Sequence, residues 1–241
     1  MSVDALTERL RAAGCVFAEE EAALLRGAFG DDALDAATQR RIDGEPLEWI
    51  LGWVDFGGER FHLSPGVFIP RQRSTLLVED AVRRAAGVGA PRIVDLCCGC
   101  GALGLAVRRR IGGDLFASDL DARAVEDARR NGAHAEVGDL FASVPTDWRG
   151  TVDILLCNAP YVPTDAIELM PRDSRHHEDP ALVDGGASGL DVLTRVVFEA
   201  PEWLTPSGHL HVECSPDQAA TLQEVAATVS DRAFLVPSPT D

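Results

Sequence analysis

At 241 residues the chain is long for one average domain and short for two, which points to a main domain of about 150 residues with a smaller companion. A composition of 46% hydrophobic and 25% charged residues, with no apolar run of about 18, is ordinary for a soluble globular protein and argues against a transmembrane helix. The net charge of −17, with every one of the 22 basic residues an arginine, disfavours nucleic acid as the main partner, because counterion release needs clustered positive charge.

The opening Met1-Ser2-Val3-Asp4-Ala5-Leu6-Thr7-Glu8 lacks the basic-then-apolar pattern of a leader, so the cytosol is the expected compartment. Residues 1–45 alternate Ala/Leu clusters with acids. Leu6 and Leu10, then Val16, Phe17, Leu24, Leu25 and Phe29, then Leu34, Ala37 and Ile42 fit short amphipathic helices, punctuated by Gly14, Gly30-Asp31-Asp32 and Gly44. A small helical bundle is expected, marginal alone, which packs on something or binds a partner.

Residues 46–73 read as a linker with a β-hairpin. Trp53-Val54-Asp55-Phe56 and Glu59-Arg60-Phe61-His62-Leu63 flank Gly57-Gly58, a two-residue turn signal. His62, alone in this strand pattern, is expected to be a half-exposed structural histidine. Pro65 and Pro70 frame the extended segment Gly66-Val67-Phe68-Ile69, which leads into a helix over 74–86.

From Pro91 onward the pattern alternates. Strands are expected over 92–96, 115–118, 134–137, 152–157 and 210–213, and helices over 102–111, 121–131, 188–201 and 216–229. This alternation predicts an α/β fold with a parallel sheet covered on both faces. Arg108, Arg109 and Arg110 close the 102–111 helix, where cations suit the helix dipole. The six cysteines (Cys15, Cys97, Cys98, Cys100, Cys157 and Cys214) do not form a disulfide framework, and Cys97-Cys98-Gly99-Cys100 has no second ligand pair at zinc spacing. No metal is expected; small residues in a tight turn explain them.

The strand over 152–157 stops at Asn158-Ala159-Pro160-Tyr161, which would project from its carboxyl end, the edge where ligands bind in an open α/β sheet. An amide acceptor, a fixed turn and an aromatic plane are parts for holding a flat, hydrogen-bonding nitrogen group. Asp95-Leu96-Cys97-Cys98-Gly99-Cys100-Gly101-Ala102-Leu103-Gly104 links the first strand to its helix, and Gly99 and Gly101 let backbone approach a ligand. Ser118-Asp119 ends the second strand with a carboxylate suited to a ribose diol, and Gly138-Asp139-Leu140-Phe141 follows the third with an acid and apolar residues suited to adenine. One such aspartate is ordinarily a cap or turn residue. Asp95, Asp119 and Asp139 at successive strand ends would repel a pyrophosphate and suit a cofactor with a cationic sulfonium and a free amino group. That favours S-adenosylmethionine over NAD.

From about Gly44 to about Ala227 the chain resembles the HemK/PrmC-type family, class I methyltransferases that act on a glutamine amide nitrogen (N5) of peptide-chain release factors. The resemblance is carried by Gly44-Glu45-Pro46, Ile69-Pro70-Arg71, Asp95-x-x-x-Gly99-x-Gly101, Ser118-Asp119, Asn158-Ala159-Pro160-Tyr161-Val162-Pro163, Glu178-Asp179-Pro180-Ala181-Leu182 and Gly185-Gly186-Ala187-Ser188-Gly189-Leu190-Asp191. It implies a Rossmann-like, doubly wound, mostly parallel sheet in a methyltransferase domain over 74–241. A helical domain over 1–45 and the hairpin linker over 46–73 precede it. It implies that S-adenosylmethionine is held by Asp95, Gly99, Gly101, Asp119, Asp139, Leu140 and Asn158 and leaves as S-adenosylhomocysteine. Asn158, Pro160 and Tyr161 would be catalytic, and with Ala159 they would hold the substrate, the Gly-Gly-Gln glutamine of a class I release factor. The expected setting is cytoplasmic, without membrane or nucleic acid as direct partner.

The sequence departs from the family pattern in several places. Ala159 replaces the first proline of Asn-Pro-Pro-Tyr, Gln72-Arg73-Ser74-Thr75 replaces Pro-Asp-Thr-Glu, and Cys97 replaces a turn glycine. The chain ends soon after Phe234-Leu235-Val236, leaving no evident segment for a last antiparallel strand. The loop with Pro171, Arg172 and Asp173 is expected to cover the substrate, and His176-His177-Glu178 to face solvent. Three alternatives stay open: an adenine-N6 methyltransferase, an N-methyltransferase of small molecules or other proteins, and a relative that binds the cofactor without turnover.

Overall fold

The computed structural model describes residues 3–169 and 180–229. Four helices come first: α1 (Val3–Ala12), α2 (Ala18–Ala28), α3 (Asp31–Ile42) and the short α4 (Leu47–Leu51). Leu6, Leu10, Ala22, Leu25, Leu34 and Ala37 close a small apolar core. The same core takes in Ile50, with Leu47 and Leu51 packed against it, so α4 completes the helical unit although its residues read as linker. Glu21 and Arg41 bind α2 to α3 through a half-buried, two-pronged ion pair.

The hairpin β1 (Trp53–Phe56) and β2 (Glu59–His62) turns at Gly57-Gly58, both at positive φ, as a tight hairpin turn requires. It belongs to the main core: Val54, Phe56, Phe61, Leu63, Val67 and Ile69 pack with residues of the central sheet and its helices. Buried Asp127 of α7 (Ala122–Arg130) and part-buried Asn131 at its C-terminal end fasten it. Asp127 accepts from the Ser64 N–H at 2.6 Å and the Ser64 hydroxyl at 2.7 Å, and Asn131 accepts from the His62 N–H at 2.7 Å and donates to the His62 carbonyl at 2.9 Å. His62, 37% exposed and 3.3 Å from Asp127, is the structural histidine expected.

The remaining elements are α5 (Thr75–Arg84), β3 (Arg92–Leu96), α6 (Ala102–Ile111), β4 (Asp114–Asp119), β5 (His134–Val137), β6 (Val152–Cys157), α8 (Asp191–Trp203), β7 (Leu204–Val212) and α9 (Pro216–Val229). The sheet order is β5-β4-β3-β6-β7, parallel throughout. Side chains alternate across it: Ile93, Leu115, Ala117, Ile154 and Leu156 enter the core under α5–α7, and Val94, Leu96, Phe116, Leu155 and Cys157 enter the one under α8 and α9. Two covered faces explain why β6 reads as an apolar run from Ile154 to Cys157. Ile154, Leu155 and Leu156 are buried completely or nearly so, each worth about 2 kcal/mol of transfer free energy.

Several boundaries differ from the sequence reading by a few residues, and two stand out. Strand β7 begins at Leu204 rather than 210, because α8 runs on through Pro201 to Trp203 and passes into the strand without a loop. A register shift between Val152 and Ile154 absorbs the irregular start of that pairing. The helix expected over 74–86 is a 3₁₀ turn (Gln72–Ser74) followed by α5. Phe234-Leu235-Val236, the loop with Pro171, Arg172 and Asp173, and His176-His177-Glu178 lie outside the described residues.

Candidate active site

The strand order reverses between β3 and β6: the chain winds outward from β3 through β4 to β5, then returns to the other side of β3 at β6. Carboxyl ends at such a switch point are splayed by helices leaving in opposite directions, which opens a crevice. The turn after β3 and Asn158 after β6 meet there. Cys97, Cys98, Gly99, Cys100, Ala102, Leu103 and Asn158 line a cleft, with Phe68 and Pro70 of the linker on its other wall.

Backbone dictates the turn. Gly99 and Gly101 take φ of +53° and +78°, and a Cβ on Gly101 would come within 3.1 Å of Ala128 Cβ. Cys97 takes φ +53°, a left-handed conformation strained for a residue with a side chain. Asp95, 1% exposed, lies beneath the turn, where its Oδ2 accepts the Gly104 N–H at 2.9 Å. Burial, with Asp119 nearby, pushes its carboxyl up to about 7. Asp119 accepts the Gly99 N–H at 2.9 Å through one oxygen and the Asp121 N–H at 2.9 Å through the other, and burial raises its pKa too. Asp139 is the outlier: its carboxylate pairs with Arg195 at 2.8 Å and is half exposed. Leu140, buried at φ +51°, receives the Ser118 hydroxyl on its carbonyl at 2.9 Å.

Asn158 and its neighbours are built from three places in the chain. Asn158 Nδ2 donates to Ser74 Oγ at 3.3 Å, and Ser74 Oγ donates to Glu213 Oε2 at 2.5 Å. The other Glu213 oxygen accepts from the Tyr161 hydroxyl at 2.9 Å and from Arg73 Nε at 2.8 Å, and Arg73 also reaches the Tyr161 hydroxyl. Burial, with the Glu213 charge beside it, holds the Tyr161 phenol up at about 12, so it is protonated at neutral pH. The Ala159 side chain is buried, while Pro160 and Tyr161 stay partly exposed.

The glycine-rich stretch after residue 183 supports this loop from behind. Val162 N–H donates to the Val183 carbonyl at 2.9 Å, and Gly185 N–H to the Val162 carbonyl at 2.8 Å. Gln218 of α9 donates to the Tyr161 carbonyl at 2.8 Å and the Ser188 carbonyl at 2.9 Å. Gly189, at φ +73°, lies where a Cβ would stand 2.3 Å from both the Gln218 amide and the Tyr161 carbonyl. Only glycine fits.

Of the residues that sequence reasoning singles out, Gly99 and Asn158 line the crevice, Gly101 lies in the same turn as Gly99, Ala159, Pro160 and Tyr161 continue the chain from Asn158, Asp119 is bound to the turn and Asp95 lies below it. Sequence reasoning misses Ser74, Glu213 and Gln218. Glu213 carries the signal that flagged the aspartates, an acid directly after an apolar strand. Ser74 carries none, because its importance comes from a contact 84 residues away in the chain.

Comparisons with known proteins agree with this geometry. Residues 59–170 match the family model "Methyltransferase small domain". A release factor glutamine methyltransferase of Bradyrhizobium diazoefficiens is 36% identical over 205 residues, 80% of this chain and 69% of that protein. One from Corynebacterium glutamicum is 36% identical over 79% of this chain and 70% of its own length. A Streptomyces pristinaespiralis enzyme named 4-amino-L-phenylalanine/4-methylamino-L-phenylalanine methyltransferase is 33% identical over 76% of this chain and 66% of that one. The chain spans about two thirds of these relatives' lengths, between 66% and 70%. Among solved structures, a Thermus thermophilus 16S rRNA N2 G1207 methyltransferase in complex with AdoMet and guanosine superposes with TM-score 0.52 at 22% identity, covering 71% of this chain and 44% of that one.

Sheet order, crevice and comparisons define a class I methyltransferase whose methyl donor is S-adenosylmethionine. Within that class the chain belongs to the release factor glutamine methyltransferase family. The chemistry of the turn is compatible with that cofactor: desolvation raises the pKa values of buried Asp95 and part-buried Asp119, and a cationic group bound nearby would offset that.

Proposed function

We propose that this chain transfers the methyl group to the side-chain amide nitrogen of the glutamine in a release factor's Gly-Gly-Gln motif, and that it works in the cytoplasm. The observation that carries the reading is the Asn158 amide, whose NH₂ is engaged by Ser74 and whose Oδ1 is thereby kept as an acceptor beside the glycine turn. The family names support the acceptor: the Bradyrhizobium and Corynebacterium relatives are release factor enzymes.

A glutamine amide nitrogen is a poor nucleophile because its lone pair is delocalised into the carbonyl. Asn158 Oδ1 and the Ala159 carbonyl accept its two N–H hydrogens, which fixes the nitrogen's direction and raises its electron density. Replacing proline with alanine at 159 keeps that carbonyl. Tyr161, uncharged and held by Glu213 and Arg73, packs beside the amide plane, and Pro160 fixes the turn between them. When bound, S-adenosylmethionine supplies a methyl group on a sulfonium, and Gly99, Gly101 and Asp119 would hold it. No strong base is needed before transfer, since the nitrogen loses its proton after gaining the new bond. Orientation in a water-poor crevice provides most of the acceleration, with the two acceptors favouring the positive charge that develops on nitrogen.

The test is label transfer from S-adenosylmethionine to a class I release factor, run beside one whose Gly-Gly-Gln glutamine is changed to alanine. Label on the first and none on the second is expected; label on both, or on neither, contradicts the reading. A second acceptor has support in the Streptomyces relative and in Arg73, whose side chain, next to Tyr161 and 65% exposed, offers a cation for an amino-acid carboxylate. Methylation of 4-amino-L-phenylalanine in the same assay, with none on the release factor, would favour it.

A further inference from the structure

We infer that Glu213 and Ser74 are positioning residues that set which way round the Asn158 amide faces the substrate. The inference rests on Asn158 being the acceptor for the substrate amide. The logic is one of donors and acceptors. An ionised carboxylate only accepts, so Ser74 spends its single hydroxyl hydrogen on Glu213 Oε2, at 2.5 Å. Its oxygen is then left with lone pairs alone to present to Asn158, 3.3 Å away. Asn158 must answer with Nδ2–H, and its Oδ1 turns to the crevice. The two ends of an asparagine amide are nearly the same size, so shape alone does not decide between them. A neutral partner at 213 frees the Ser74 hydroxyl to donate toward Asn158, which lets the amide rotate and offer NH₂ to a substrate that itself brings NH₂.

Three features make the arrangement a built one. Glu213 follows β7, adjacent in the sheet to the β6 strand that carries Asn158, so both stand on the same edge. The Glu213 side chain is only 13% exposed, and Ser74 is 1% exposed. Arg73 and Tyr161 bind Glu213 Oε1, which leaves Oε2 to Ser74. The linker between the helical unit and the sheet therefore contributes to the chemistry: the 3₁₀ turn Gln72–Ser74 brings a hydroxyl to the amide.

The experiment uses the full chain with three variants: Glu213→Gln, Ser74→Ala and Ser74→Thr. Glu213→Gln and Ser74→Ala are expected to lower kcat about 10-fold or more, the loss of one oriented hydrogen bond, with the acceptor KM and the S-adenosylmethionine Kd changed less than about threefold. Ser74→Thr, which keeps the hydroxyl, restores most of the rate, and the double variant Ser74→Ala/Glu213→Gln is no slower than the worse single one. A second readout needs no turnover. The chain has two asparagines, Asn131 and Asn158, so asparagine-labelled protein gives two side-chain NH₂ signals. The Asn158 pair is expected to shift in Glu213→Gln and Ser74→Ala while the Asn131 pair stays. Unchanged kcat in both variants of an active enzyme overturns the inference, as does an Asn158 NH₂ signal that neither substitution moves. Wild-type protein inactive on the Gly-Gly-Gln glutamine overturns the substrate reading instead, and the amide signals then decide the relay.

Discussion

At the scale of single residues, the site is an argument about donors and acceptors. Tyr161 is the chain's one tyrosine, so its ionisation can be followed by absorbance without interference from another phenol. Burial first, then the Glu213 charge, hold it up at about 12 against an ordinary 10. Little phenolate is expected at pH 11 in the folded protein, and more in Glu213→Gln; a midpoint near 10 would place Tyr161 in open water and dissolve its proposed role. Cys97 offers a second test. Its φ of +53° strains any side chain, and a β-branched one most. Cys97→Gly should change unfolding free energy by no more than about 1 kcal/mol, since relief of strain offsets the added freedom of the unfolded chain. Cys97→Val should cost about 1–2 kcal/mol more than Cys97→Gly in denaturant titration, and equal stabilities would contradict the left-handed turn.

At the scale of elements, three strand ends, two glycine turns and one linker converge on one crevice. The alternating pattern made the parallel strands legible because both faces of β3, β4 and β6 are covered and most of their side chains are apolar. The Asn158 loop was legible for a related reason: polar, turn-forming residues directly after such a run cannot stay in the strand. What the sequence hid is lateral. Ser74 and Gln218 act through contacts across the fold, and no periodicity encodes which serine will lie under which amide. Asp139 is a strand-end acid with a partner the motif does not announce, Arg195 on α8. The Gly185-Gly186-Ala187-Ser188-Gly189 stretch was legible as a signature but not as a cause. Its cause is space for Gln218 and the Tyr161 carbonyl. Gly189→Ala should therefore lower stability by about 2 kcal/mol or more, by combining left-handed strain with a 2.3 Å overlap, and reduce turnover with it. A variant with unchanged melting temperature and rate would sink this account of the motif.

At the scale of the whole molecule, two buried groups pull stability in opposite directions with pH. His211 is 5% exposed in the core beside Asp80, and burial lowers its pKa to about 4. Its unfolded counterpart takes a proton near 6.5, so the stability it contributes is present above that value and lost as pH falls towards 4. Asp95 is raised to about 7, so its contribution is present below about 4, the unfolded aspartate value, and lost as pH rises through 7. Each is worth on the order of 3 kcal/mol, and between pH 4 and 6.5 they oppose each other. Asp95→Asn removes one of the two, so cofactor-free Asp95→Asn is expected to lose stability on going from pH 6.5 to 4.5 more steeply than the parent chain. Urea titrations at those two values check it; parallel pH dependences would mean that Asp95 keeps an ordinary carboxyl in the fold. No helix among the described residues is long and apolar enough to cross a membrane.

The most direct measurement of the central claim, that Asn158 serves the acceptor rather than the donor, compares Asn158→Ala with the parent chain in single-turnover methyl transfer to a release factor. S-Adenosylmethionine affinity is measured on the same samples. The account predicts a rate lower by about 100-fold or more, the usual cost of removing an oriented acceptor from a transition state, with donor affinity within about threefold. Donor affinity that falls as far as the rate would contradict it and move Asn158 to the cofactor side of the crevice.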